Sequence, residues 1–111
     1  MTLTTHSSGA TLGDFYEIIP ADTFDFVFDI HEVLVEDVNV QDATYELHLY
    51  YGPDDIECGD TRFAASSLKG GVPAVAMQTV LIPANSRVRG RLAISGGSGK
   101  TAKISLRLHP Y

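Results

Sequence analysis

Residues 24–31 read Phe24-Asp25-Phe26-Val27-Phe28-Asp29-Ile30-His31. Phe24, Phe26, Phe28 and Ile30 alternate with Asp25, Val27, Asp29 and His31, a period of two that places three phenylalanines on one face of a β-strand. Three rings aligned in this way predict an anchor for the core. After Glu32 the apolar positions change phase to Val33, Val35 and Val38, so a bulge, a turn or a second strand begins near His31.

Upstream, Phe15 to Ile19 is a short aromatic and β-branched run closed by the turn signal Pro20-Ala21-Asp22. Downstream, Tyr45, Leu47, Leu49 and Tyr51 alternate with Thr44, Glu46, His48 and Tyr50, and this half-buried strand ends at Gly52-Pro53-Asp54-Asp55. From Asp60 to Gly71 a loop is expected, in which Asp60 caps a short helical turn over Phe63 to Leu68. Val75 to Ile82 reads as a strand stopped by Pro83-Ala84-Asn85. Then Val88, Leu92 and Ile94 point one way and Arg87, Arg89, Arg91 and Ala93 the other, before a Gly96–Gly99 turn. Ala102, Ile104, Leu106 and Leu108 alternate with Lys103, Ser105, Arg107 and His109, which predicts a closing hairpin with two neighbouring basic stripes. Six to eight short strands with almost no helix predict an all-β fold. The expected architecture is a single antiparallel β-sandwich of jelly-roll or immunoglobulin-like type over 14–111, preceded by a flexible N-terminal arm over 1–13.

A chain of 111 residues has room for one core. Its start, MTLTTHSSGATLG, lacks the basic and apolar regions of a secretory signal, and no apolar run approaches the length of a membrane span. One cysteine, Cys58, rules out an internal disulfide and a thiolate metal site. A formal net charge of −6 argues against nucleic acid. All 14 acidic residues lie between Asp14 and Asp60, and all 8 basic ones between Arg62 and Arg107. Either acidic and basic strands are neighbours in one fold, or opposite faces meet separate partners.

The chemistry of the chain is sparse. Ser98-Gly99-Lys100-Thr101 ends like a phosphate-binding loop, but Ile94 stands where that motif needs its first glycine, and a strand rather than a helix follows. Asp54, Asp55, Glu57 and Asp60 offer oxygen ligands suited to calcium, yet their spacing matches no EF-hand and a solvated acidic turn is the expectation. His6, His31, His48 and His109 are scattered, with no pair at a metal-binding interval. Glu57 and Asp60 would raise rather than lower the pKa of the Cys58 thiol. No nucleophile elbow occurs, so a non-enzymatic protein without cofactor or metal is expected. The candidate interface residues are Arg87, Arg89, Arg91, Lys103 and Arg107, with Asp25, Asp29 and Glu46 as acidic counterparts on outward strand positions and Tyr50 as an exposed aromatic. Exchange of Arg87, Arg89 and Arg91 for Ser is expected to spare folding and abolish assembly.

The stretch Ile82-Pro83-Ala84-Asn85-Ser86-Arg87-Val88-Arg89-Gly90-Arg91-Leu92, with the Gly-rich turn and Thr101-Ala102-Lys103-Ile104-Ser105-Leu106, resembles the C-terminal hairpin of small tailed-bacteriophage virion proteins. The resemblance implies a structural virion component made in the host bacterial cytoplasm. A capsid decoration or cement protein bound to the major capsid protein and to neighbouring copies is the leading expectation. A neck, tail or fibre component, or a carbohydrate- or receptor-binding module, is the alternative. No nucleic-acid or membrane partner is expected.

Overall fold

The computed structural model describes residues 2–4, 12–38, 44–64, 74–94 and 101–111. Its strands are β1 (Thr2–Thr4), β2 (Tyr16–Ile19), β3 (Phe28–Val38), β4 (Thr44–Tyr51), β5 (Ile56–Ala64), β6 (Ala74–Ala76), β7 (Val88–Ile94) and β8 (Thr101–Pro110). They form two antiparallel four-stranded sheets, β1-β8-β3-β6 and β2-β7-β4-β5, packed face to face, with no helix among the described residues. The pairs β1/β8, β2/β7, β3/β6 and β4/β5 are nested, as in one long hairpin folded at the β4–β5 turn. Rolling up that hairpin adds the β3/β8 and β4/β7 pairs. This connectivity is that of a jelly roll, not of an immunoglobulin domain.

Alternation builds the core. On β4, Tyr45, Leu47 and Leu49 are fully buried, while Glu46 and His48 face outward. On β3 the buried set is Phe28, Ile30, Val33 and Val35, and the pairing with β8 slips between Ile30 and Glu32. That extra residue at His31 is the bulge that the phase change predicts, and it keeps both halves of the strand facing the core. Val88, Leu92 and Ile94 of β7 meet Ala102 and Ile104 of β8 in the same cluster. Each large side chain removed from water contributes about 1.5–3 kcal/mol before entropic costs.

Four elements differ from the sequence reading. The strand containing the phenylalanines starts at Phe28, not Phe24. Residues 24–27 bend beside the 83–86 turn, where Asn85 N donates to Phe24 O at 2.7 Å, and find no strand to pair with. The three rings still gather, with centroids 5.2 to 6.2 Å apart. Ile56–Ala64 is a strand along β4, so Asp60 sits mid-strand opposite His48 and caps no helix; residues 65–71 lie outside the described ones. Of the expected 75–82 strand only Ala74–Ala76 pairs regularly; Ile82 makes a single bridge to Phe28. The closing hairpin does not form: β7 and β8 belong to different sheets, so their basic stripes are not neighbours. The turn at 96–99 lies outside the described residues. Within the expected arm, residues 2–4 form β1 on β8, and Gly13 N donates to Leu92 O at 2.9 Å.

Residues 77–82 tie the two sheets together along one margin. Met77 N and Thr79 N donate to His31 O and Ile30 O on β3, and Val80 N donates to Cys58 O on β5. The Thr79 hydroxyl accepts from Ile30 N at 3.0 Å and donates to Val80 O at 2.9 Å. A side chain thus takes the place of a ladder partner where the strand becomes irregular.

Candidate interaction surface

The outer face of the β2-β7-β4-β5 sheet carries most of the sequence candidates. Register sets Tyr50 beside Arg89 and Glu57, His48 beside Arg91 and Asp60, and Glu46 beside Ala93 and Arg62. Arg62 Nε lies 3.2 Å from Glu46 Oε2. On the other sheet Arg107 Nη1 lies 3.1 Å from Glu32 Oε2. Nested pairing explains the segregated charges: the chain folds back near residues 52–55, so its acidic first half lies against its basic second half. Cross-strand neutralisation follows from the topology.

The arginine stripe is turned onto the chain itself. Arg87 Nε donates to Gly52 O at 3.2 Å and its Nη2 to Pro53 O at 3.1 Å, so it holds the β4–β5 turn. Gly52 needs its freedom there, with φ of 78°. Arg89 donates from Nε to Asp55 Oδ1 at 2.8 Å and from Nη2 to Oδ2, the forked geometry natural to guanidinium and carboxylate. This bond, outweighing partial burial, holds the Asp55 carboxyl below the ordinary carboxylate range. Arg91 Nε donates to Gly13 O at 2.7 Å. Arg89 and Arg91 also lie over the Phe15 ring, 4.3 and 4.7 Å from its centroid, and Phe15 meets Tyr50 edge to face at 5.0 Å. These contacts pin residues 12–15 across β7.

The remaining candidates divide. Asp25 is exposed in the 24–27 bend, and Lys103 is exposed on β8. Asp29 is not an outward acid: it is 4% exposed, at the margin of the opposite sheet. Its burial pushes the carboxyl up, but contacts from His31, Gln78 and Tyr111 outweigh that and hold it below the ordinary value. Tyr50 is not an exposed aromatic, because Phe15 and the β7 arginines leave it 9% exposed. Asp54, Asp55, Glu57 and Asp60 are not one loop: the first pair lies in the turn and the second on β5.

Sequence reading missed two histidine clusters, because strand register rather than local spacing assembles them. His48 Nε2 donates to Glu46 Oε1 at 2.6 Å, and its Nδ1 faces Glu57 Oε1 with Asp60 Oδ2 4.0 Å away. Both ring nitrogens meet carboxylates, the environment of an imidazolium. Partial burial pushes its pKa down, but the bonds to Glu46 and Glu57 prevail and hold it above the ordinary histidine value. The second cluster joins Asp29, His31 and His109. The Cys58 thiol is pushed up to about 12, chiefly by burial, so it is no ready nucleophile.

An apolar ridge follows the closing margin. Ile56, Val80 and Leu81 are each more than half exposed, and Val80 is bonded to Cys58, two residues from Ile56. Between the Phe28/Ile82 bridge and the Ile30/Thr79 bonds, Val80 and Leu81 face the single residue Asp29, and this irregularity turns them outward. No protein family matches the chain, and neither a curated protein nor a solved structure matches it.

Proposed function

We propose that this chain is a non-enzymatic jelly-roll protein that works by binding other proteins, and that its place is the shell of a tailed-phage virion. The observation that carries the binding role is the Ile56, Val80 and Leu81 ridge, where large apolar side chains face water on a firmly bonded margin. Single exposed apolar residues are ordinary, whereas three large ones brought to one margin favour a contact surface. The inward-turned arginines support the same reading: they fix the turn and residues 12–15, so these segments carry little ordering cost on docking. The virion setting rests on the resemblance of residues 82–106 and on the jelly roll's frequent use in viral shells. Its partner is the major capsid protein. Repetition over a lattice turns weak single contacts into stabilisation of the assembled state.

The test is sedimentation of purified protein with capsids that lack it, alongside a Val80→Asp/Leu81→Asp variant whose fold is checked by circular dichroism. Saturable, stoichiometric co-pelleting that the folded variant loses is the expected result. Absence of pelleting overturns the shell role, undiminished pelleting of the variant overturns the ridge, and binding to glycans alone would place the chain among carbohydrate-binding modules.

A further inference from the structure

We infer that Asp29, His31 and His109 form a binding site for a divalent first-row transition ion of the zinc type. The antiparallel β3/β8 ladder sets Asp29 opposite His109, and the His31 bulge brings a second imidazole to the same spot. One ligand atom from each residue lies within 4.8 Å of the other two. Two imidazoles and one carboxylate suit zinc, and they leave at least one coordination position open.

The carboxylate separates a metal site from a hydrogen-bonded cluster. Asp29 Oδ2 is held by two donors, Gln78 Nε2 and the Tyr111 hydroxyl, each at 3.0 Å. Oδ1 is buried and receives no aligned hydrogen bond. Yet His31 Nε2 is 2.9 Å and His109 Nδ1 3.7 Å from it. Ligands of one ion aim at the ion rather than at each other. With bonds of about 2.0–2.2 Å and tetrahedral angles, neighbouring donors stand roughly 3.4 Å apart and about 35° off each other's lone-pair axes. The two measured separations bracket that spacing. Gln78 and Tyr111 supply the outer bonds that orient a ligating carboxylate. The His48 cluster differs, since its ring bonds directly to Glu46 and Glu57 and leaves neither ring nitrogen unbonded. The two rings stack, 5.0 Å between centroids and 8° between planes, so one of them must turn about its χ angles to direct its lone pair at the ion the other binds. Side chains 43% and 52% exposed leave room for that turn and let an ion reach them from solvent.

The experiment is titration of the full, tag-free chain with Zn²⁺ by calorimetry and with Co²⁺ by visible absorption. One equivalent binds, with a Kd of roughly 10 µM or tighter, and zinc at a hundredfold excess over Kd raises Tm by about 10 °C. His31→Ala and His109→Ala, both at solvent-facing positions, each weaken binding about 100-fold or more, and Tyr111→Phe about 10-fold. His48→Gln leaves it unchanged, which excludes general histidine binding. No uptake by the wild-type chain at about 100 µM ion, or one equivalent still bound by the His31→Ala/His109→Ala variant, overturns the site. Neither result bears on capsid binding.

Discussion

Arg89 reaches from β7 to Asp55 in the turn after β4 and occupies both of its carboxylate oxygens. Because Arg87 binds the same turn and Arg91 the 12–15 segment, the three arginines are structural, and changing all three to Ser should loosen the fold as well as any assembly. Asp55→Asn alone should lower Tm by a few degrees near neutral pH. The folded Asp55 pKa lies below its unfolded value of 3.8, so its contribution is full above that value and vanishes as pH falls through the folded one. Melting curves of both proteins should therefore converge on acidification.

His48 works in the opposite direction. Its folded pKa lies above the unfolded 6.5, so the stabilisation is complete below about pH 6.5 and is lost as pH rises through the folded value. Glu46, held below 4.5 chiefly by the His48 bond, loses its share as pH falls through its own folded value. The clamp is therefore strongest between about pH 4.5 and 6.5. The Tm difference between wild type and His48→Gln should shrink from pH 6 to pH 8.5, and the His48 ring resonances should titrate above the ordinary value.

Thr79→Val removes a hydroxyl at nearly constant shape and leaves the Ile30 amide without its partner. A buried donor stripped in this way costs about 1–3 kcal/mol. Urea denaturation should show that loss, with hydrogen exchange at Ile30 and Val80 accelerating more than exchange in β4.

Phe28 is fully buried, with Phe24 and Phe26 packed edge-on against it. Phe28→Ala should cost about 3–5 kcal/mol, and the half-buried Phe24→Ala about 1–2 kcal/mol. Equal losses in equilibrium denaturation would show that the bend, rather than depth in the core, sets the aromatic contribution.

Strands with strict alternation and firm turn signals, such as 44–51 and 101–108, were legible in the sequence, and so was the irregularity at His31. Strand β5 was not: Glu57, Gly59, Asp60 and Thr61 are poor or polar strand formers, and a bulge breaks the inward spacing of Cys58 and Phe63. The Gly-rich stretch after Ile94 signals a reversal equally well whether the next strand pairs with the last or crosses to the other sheet. The placement of Asp29 and the meeting of His31 with His109 depend on long-range register, which no local spacing encodes. The charge division, by contrast, recorded the topology, because a chain folded back near its middle sets its first half against its second.

Nesting also implies an order of events. The β4–β5 pair closes a loop of only a few residues, whereas β1 and β8 join positions about a hundred residues apart. Closure entropy rises with every layer, so the molecule should zip outward from Gly52–Asp55 and add its outermost rung last, as a high-contact-order fold that is slow to complete. Substitutions at the turn should then change the folding rate, and substitutions around Ala102 chiefly the unfolding rate.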